Sequence, residues 1–130
     1  WNEYTYTPDN AFDEKNKTSW QEGKKGNGVG EWIEIEFGKK VNVRTFMING
    51  LVLPKKYYKM NNRVRHVKVE YWSYGRKKTK DTKLEDNNFG PQLVGLYQNV
   101  TKMRFIIESV YKGTKWRDTA VSEISFKKLR

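Results

Sequence analysis

Short segments in which apolar and polar residues strictly alternate run through this chain and limit the folds open to it. In the clearest of them, residues 31–37, isoleucine and phenylalanine alternate with glutamate, and residues 67–73 and 102–108 repeat the pattern. Such alternation is typical of strands with one buried and one solvated face. No window of eleven or more residues carries sustained helical periodicity. The pattern therefore predicts an all-β fold.

The alternating segments are short and are separated by polar turns or long loops. We expect strands at Trp1–Thr7, Glu31–Phe37, Val41–Asn49, Val67–Ser73, Gln92–Tyr97, Lys102–Glu108 and Ala120–Lys127. A turn at Gly38–Lys40, a basic turn at 75–83 and an irregular stretch at 84–91 would lie between them. This order favours one antiparallel β-sandwich domain spanning residues 1–130.

The net charge of +11 is the largest deviation in composition. Residues 55–68 carry six bases and no acid, and residues 76–83 carry five bases against Asp81. A basic balance favours anionic partners, and it equally serves solubility. Specific nucleic-acid binding is not expected, because the aromatic residues are not interleaved with the bases in a single-strand-binding array.

The residue types rule out several kinds of chemistry. Cysteine is absent and His66 is the one histidine, so disulfides, thiolate or zinc sites and Ser-His-Asp or Cys-His constellations are excluded. We therefore expect no enzyme activity. No apolar run approaches the roughly 18 residues of a membrane span, and we expect no signal peptide within these 130 residues. Because the chain starts at Trp1, we expect a processed chain or an excised domain.

The connection from Gly50 to Asn62 is longer than an ordinary hairpin turn, which favours a functional loop. Tyr57, Tyr58, Asn62 and Arg63 combine aromatic rings with a planar amide and a guanidinium. Polyol recognition uses this combination, by stacking and bidentate hydrogen bonds. In the alternative interpretation, one tyrosine packs beneath the loop and Arg63 neutralises a neighbouring carboxylate.

A second aromatic loop lies near the end of the chain. Trp116 sits between polar residues, where an exposed indole is costly without a ligand, and it is the best single candidate for a ligand contact. Arg117 and Asp118 would donate and accept hydrogen bonds, although an aspartate before threonine also often closes its own turn. Glu22, in the glycine-rich opening loop, is a further candidate.

Several stretches give the chain a family resemblance that spans nearly its whole length. It resembles the discoidin-like, galactose-binding-like jelly-roll modules, especially the module of secreted bacterial NAD glycohydrolases that assists toxin translocation and binds host glycans. The stretches that carry the resemblance are N-A-F-D-E-K-N-K-T-S-W-Q-E-G (10–23), G-V-G-E-W-I-E-I-E-F (28–37), I-N-G (48–50), N-N-R-V-R (61–65) and V-Y-K-G-T-K-W-R-D-T-A-V-S-E-I-S-F (110–126).

The resemblance also implies a possible ion site. In the wider family, residues matching Asp13, Thr18 and Glu123 often hold a structural calcium ion. Here Lys15 occupies a usual ligand position, so we expect no metal and no other cofactor, with the Lys15 ammonium taking the place of the ion. The resemblance further implies that Trp20 and Trp32 are structural plugs rather than sugar platforms.

The favoured function is a non-catalytic carbohydrate-binding module of a secreted or cell-surface protein, monomeric, with a glycan or glycoprotein as partner. One alternative is an adaptor that docks a parent toxin or partner protein during translocation. Another is salt-dependent adhesion to anionic polymers or membranes. All depend on the aromatic loops gathering at one end of the sandwich.

Overall fold

The computed structural model describes residues 5–6, 20–21, 29–50, 57–115 and 119–129, with only the backbone at 5–6, 20–21, 120 and 122–123. Seven strands lie within these ranges. They are β1 (Thr5–Tyr6), β2 (Trp20–Gln21), β3 (Trp32–Asn49), β4 (Arg63–Ser73), β5 (Arg76–Lys83), β6 (Gln92–Tyr111) and β7 (Ala120–Lys128). Over the same ranges no α-helix is present, so these residues include no helix long and apolar enough to cross a membrane.

The two longest strands, β3 and β6, pair along nearly their full lengths and hold the other strands at their sides. The strand order is β2-β7-β3-β6-β4-β5, and β1 pairs with β3 in parallel. β4 pairs with residues 100–111 of β6, whereas β7 pairs with residues 43–49 of β3. These two pairings and those of β2 with β7, β3 with β6 and β4 with β5 are antiparallel. One half of the β3–β6 pair is therefore flanked by β4 and β5, and the other half is flanked by β7 and β2. These two halves form the two layers that enclose the core.

One hydrophobic cluster fills the space between the layers. The alternating residues of β3 supply Ile33, Ile35 and Phe37, all at most 1% exposed. The rings of Phe105 on β6 and Phe126 on β7 lie 6.2 Å apart, although these strands belong to opposite layers. The predicted all-β antiparallel sandwich is confirmed.

The turn predicted at Gly38–Lys40 is wrong, because β3 continues through it. The chain bends there and does not reverse: the register between β3 and β6 shifts between Glu36 and Val41, and Gly38 takes a positive φ of 72°. β6 runs alongside through the bend, so the two strands predicted at 92–97 and 102–108 are likewise one strand. β4 also begins earlier than predicted, at Arg63.

The basic turn predicted at 75–83 is also wrong, since residues 76–83 form strand β5. Tyr74 and Gly75 make a two-residue turn in which both φ angles are positive, 51° and 74°, the geometry that suits a tight hairpin. β5 ends the sheet and nearly all its residues are exposed. An edge strand without a buried face shows no apolar alternation, and lysines protect such an edge from aggregation.

Candidate ligand-binding rim

Three loops meet at the end of the sandwich where β4 begins. They are residues 57–62 before β4, residues 84–91 after β5 and residues 112–115 after β6, and we call them together the loop rim. The backbone N–H of Leu84 donates to the Arg65 carbonyl at 2.7 Å, and that of Thr114 donates to the Lys59 carbonyl at 2.9 Å. The rim is therefore built by contacts between loops that are distant in sequence.

The Arg63 side chain, at the first residue of β4, joins all three loops. Its Nε donates to Asp86 Oδ1 at 3.1 Å, and its Nη2 donates to Asp86 Oδ2 at 2.8 Å. Its Nη1 donates to the carbonyl oxygens of Lys59 (3.2 Å), Asn61 (3.0 Å) and Lys112 (3.4 Å). A planar guanidinium suits such a fork, and Arg63 is only 5% exposed. Its donors are thus used within the protein.

Tyr58 joins this hydrogen-bond network through its hydroxyl group. Its hydroxyl donates to Asp86 Oδ1 at 3.0 Å and accepts from the Asn87 N–H at 2.9 Å. Its ring, 1% exposed, meets Phe89 edge-on with centroids 4.6 Å apart. Burial, with the Asp86 hydrogen bond, raises the pKa of Tyr58 to about 12, and the Arg63 guanidinium lowers the pKa of Asp86. We call Tyr58, Arg63 and Asp86 the arginine clamp.

The end of β3 is shaped to receive the clamp. Asn49 is fully buried, and its amide donates to the Val64 carbonyl at 2.6 Å and accepts from the Val64 N–H at 2.9 Å. A Cβ on Gly50 would lie 2.6 Å from the Tyr58 ring and 2.8 Å from Arg63 Cγ. Only glycine fits there, which explains the glycine of the I-N-G stretch.

The loop that leads to Trp116 is fastened to the loop before β4. The backbone N–H of Gly113 donates to Asn62 Oδ1 at 2.6 Å. The next two N–H groups donate to backbone carbonyls, Thr114 to Lys59 at 2.9 Å and Lys115 to Met60 at 3.2 Å. On the far side, Thr119 forms a parallel bridge with Asn62. The backbone on both sides of residues 116–118 is therefore held against residues 57–62.

The structure brings together the predicted residues Tyr57, Tyr58, Asn62 and Arg63 and gives most of them interior positions. Tyr58, Asn62 and Arg63 are at most 5% exposed, whereas Tyr57 is half-buried. The expectation that Tyr58 stacks on a sugar is corrected, because its ring has no exposed face. The alternative, in which a tyrosine packs beneath the loop and Arg63 neutralises a carboxylate, matches the observed contacts.

Other predicted residues lie outside the described part of the chain, so their roles stay predictions. They are the ligand candidates Trp116, Arg117, Asp118 and Glu22, together with Asp13, Thr18 and Lys15 of the calcium hypothesis. The backbone of Glu123 lies in β7 opposite Ile48. Among the described residues, no group of three acidic or histidine side chains is placed to hold a metal ion.

The structural plug predicted at Trp32 is corrected. Trp32 is half-buried on the outer face of β3, where the Arg104 guanidinium lies 4.4 Å from its ring centroid. The side chain thus packs on the surface of the sheet rather than in the core. The Trp20 side chain is outside the described residues.

Sequence reasoning missed Asp86 and Phe89, which close the rim. The run E-D-N-N-F-G at 85–90 signals a turn, but it does not show that its carboxylate meets an arginine 23 residues away. Beside the clamp lies an open groove of about 540 Å³, lined by Lys83, Leu84, Glu85, Asp86 and Tyr111. The rim thus offers a recess of small-molecule size, since such sites measure roughly 300–1,000 Å³.

His66, the one histidine of the chain, is half-buried on β4. Its Nδ1 lies 2.6 Å from the Ser109 hydroxyl oxygen. Across the described side chains, no carboxylate orients the ring from its other nitrogen, as a catalytic triad requires. The pair therefore gives no geometric sign of nucleophilic catalysis.

Comparison with known proteins decides the family. The sequence profile of the NAD glycohydrolase translocation F5/8 type C domain matches residues 1–127. The chain belongs to this family. No curated protein sequence matches this translocation domain at a significant level.

Solved structures share the fold of the translocation domain. The Streptococcus pyogenes NAD+-glycohydrolase translocation domain aligns with a TM-score of 0.58 and 22% identity, over 84% of this chain and 96% of that one. The CBM32 of AlyQ, in complex with 4,5-unsaturated mannuronic acid, aligns with a TM-score of 0.52 and 13% identity, over 92% and 84%. The mycobacterial arabinofuranosyltransferase AftD aligns with a TM-score of 0.65 and 19% identity over 94% of this chain, which spans only 9% of AftD.

Proposed function

We propose that this translocation domain is a non-catalytic docking module of a secreted protein and that its loop rim binds a glycan. Binding would hold a linked NAD glycohydrolase at a glycan-bearing surface while translocation proceeds. The family is defined by a translocation domain of that enzyme, and one structural relative is a carbohydrate-binding module with a bound sugar acid.

The observation that carries the proposal is the fixed backbone on either side of residues 116–118, at Lys115 and at Thr119. Lys115 is hydrogen-bonded to Met60, and Thr119 is bridged to Asn62. A loop held at both ends presents its side chains with less conformational entropy to lose on binding. We therefore place the proposed ligand contact at Trp116, between two backbone positions that are themselves fixed against residues 57–62.

The residues divide into contacts and supports. We assign Trp116 as the stacking surface for a sugar ring, and Arg117 and Asp118 as hydrogen-bonding groups for its hydroxyls. Tyr57, half-buried at the edge of the rim, and Glu22 complete the proposed contact set. The arginine clamp would act as a support, because its side chains are buried and already paired. Such a division is usual in mostly pre-formed ligand sites.

A glycan array followed by isothermal titration calorimetry tests this function. Wild-type domain is expected to bind at least one glycan with a Kd below a millimolar. Trp116→Ala should weaken that binding at least tenfold, which corresponds to about 1.4 kcal/mol, and Trp116→Phe should restore part of it. Leu96→Ala serves as a control, since Leu96 is 53% exposed on β6, away from the rim.

Two results would contradict the proposal. One is the absence of measurable binding to every glycan at millimolar concentration. The other is a Trp116→Ala protein that folds normally and binds as tightly as wild type.

A second candidate function is direct docking to the parent enzyme or another protein. Leu93 and Leu96 are 49% and 53% exposed on β6, and Leu93 pairs with Phe46 on the neighbouring strand. Arg44 and Lys127 border these residues. An apolar strip with a basic border suits a protein surface with acidic edges.

Pull-down with the NAD glycohydrolase domain of the parent protein separates the two functions. If docking uses this strip, the enzyme domain should stay bound in excess free glycan. It should no longer be captured by the double variant Leu93→Ser, Leu96→Ser. Retention that free glycan abolishes would instead assign the interaction to the rim.

A further inference from the structure

A second groove lies at the opposite end of the sandwich from the loop rim. It has a volume of about 410 Å³ and is lined by Glu36, Gly38, Trp72, Gly75, Thr101 and Lys102. β4 runs from the rim to this end over 11 residues, a distance of about 33 Å at roughly 3.3 Å per residue. Nothing in the loop rim reaches it.

Next to the groove-lining Gly75 lies a tyrosine in an unfavourable backbone conformation. Tyr74 has a φ of 51° at the tip of the β4–β5 hairpin, where asparagine, aspartate or glycine is strongly preferred. Its side chain is 64% exposed. An exposed aromatic ring at a strained turn costs stability, and such strain often accompanies a functional site.

Two ammonium groups lie over aromatic rings at this end of the sandwich, Lys102 in the groove and Lys40 two residues from the groove-lining Gly38. Lys102 Nζ lies 4.2 Å from the centroid of Trp72, and Lys40 Nζ lies 4.4 Å from that of Tyr74. Neither ammonium has a carboxylate within ion-pairing distance among the described side chains, whereas Lys77 and Arg104 on the same outer face are paired with glutamates. The aromatic rings hold Lys40 and Lys102 in place, and Glu36, the cross-strand partner of Lys102, supplies a carboxylate in the same groove without a direct ion pair to it.

The Glu36 carboxylate restricts the kind of anion that can bind in the groove. Glu36 lines it and is exposed, and a carboxylate beside a run of phosphates is repulsive. A polyhydroxylated ligand tolerates both charges, since its hydroxyls donate to the carboxylate while its own carboxylate meets the ammonium groups. The half-exposed indole of Trp72 supplies an apolar wall for a ring.

We propose that the groove between the Gly38 bend and the Tyr74–Gly75 hairpin tip is a second glycan site, selective for sugars that carry a carboxylate. Trp72 and Tyr74 contact the ring, Lys40 and Lys102 bind the carboxylate, and Glu36 accepts hydroxyl hydrogen bonds. This site does not depend on the loop rim. A polymer that occupies both would bind with increased avidity, because the second contact becomes intramolecular.

Tyr74→Asn gives the sharpest test, because its predicted effects on stability and binding have opposite signs. Asparagine suits the positive φ of the turn, so the melting temperature should rise. Affinity for a hyaluronan tetrasaccharide, which contains glucuronate, should fall at least fivefold by calorimetry or NMR titration. The same tetrasaccharide with its carboxyl groups reduced should bind at least tenfold more weakly to wild type.

Matched charge variants test whether the binding is local. Lys102→Gln is expected to weaken tetrasaccharide binding at least fivefold. Lys78→Gln removes the same charge from an exposed position on β5 that does not line the groove, and it should leave binding unchanged. In NMR spectra of wild type, the Trp72 indole and the Gly38 and Gly75 amides should shift on titration.

Trp116→Ala separates this proposal from the rim proposal, since the acidic-sugar shifts at Trp72 and Gly75 should persist in that variant. Three outcomes would overturn the second site. They are unshifted Trp72 and Gly75 resonances at saturating tetrasaccharide, equal losses from Lys78→Gln and Lys102→Gln, and equally tight binding of an oligothymidylate or of the carboxyl-reduced sugar.

Discussion

Replacing Asp86 with asparagine should destabilise the domain far more than its surface position suggests. The change removes the negative charge that faces the Arg63 guanidinium at 2.8 Å. Arg63 is 5% exposed, and removing one partner of a buried ion pair typically costs about 3–5 kcal/mol. The Asp86 side chain is 25% exposed, and three carbonyls still accept from Arg63 Nη1. We therefore expect a loss of about 2–3 kcal/mol.

Urea unfolding followed by tryptophan fluorescence measures this loss. Glu85→Gln is the matched control, because it removes the same charge from the neighbouring exposed residue and should change stability by less than about 0.5 kcal/mol. Asp86→Asn should lower the Tm by roughly 10 °C with an unchanged m-value. A loss below about 1 kcal/mol for Asp86→Asn would refute the view that the clamp holds the rim.

The pH dependence of the unfolding free energy tests the Asp86–Arg63 ion pair independently. The pKa of Asp86 is lowered in the folded protein, mainly by the hydrogen bonds from Arg63. Its contribution is therefore present above the unfolded-state value of about 3.9 and is lost as the pH falls below it. Asp86→Asn should show a smaller loss of stability between pH 4 and the acid limit than wild type.

Two further predictions concern Gly50, which packs against the clamp, and Tyr58, which belongs to it. Gly50→Ala should lower the free energy of unfolding by roughly 2–4 kcal/mol, and Gly75→Ala by only about 1 kcal/mol, as measured by urea unfolding. Both glycines have a positive φ, but of the two only Gly50 lacks room for a Cβ. Equal losses of stability in the two variants would contradict this. Tyr58, whose pKa is raised to about 12, should ionise late in a spectrophotometric titration, and its stabilisation is fully present below about pH 10 and lost as the pH rises through 12. In Tyr58→Phe that alkaline loss should be smaller, and an unchanged loss would contradict the assignment.

Alternation predicted the strands wherever a strand has one buried face. Residues 33–37 and 67–71 follow it and lie as predicted in β3 and β4. β5 escaped prediction because every side of an edge strand can be solvated, so its sequence carries lysines and no apolar period. The bend at Gly38 was predicted as a chain-reversing turn, because a glycine followed by two lysines is equally typical of a turn and of a bend within a strand.

The site was predictable in its residue types but not in its partnerships. Tyr58, Asn62 and Arg63 do gather at the rim, yet the ion pair with Asp86 spans 23 residues, and no local pattern encodes such a contact. Burial decided the roles: a tyrosine at 1% exposure supports a loop and does not stack on a ligand. The sequence alone left both interpretations open for that reason.

NMR observation of the Trp116 indole during glycan titration shows whether a sugar contacts this side chain. We expect the indole resonance to shift saturably with the best glycan from the array, together with the Gly113 and Thr119 amides on either side. Asp86→Asn, by loosening the rim, should weaken that titration. A Trp116 resonance that does not shift while the glycan demonstrably binds elsewhere on the domain would show that the rim is not the glycan site.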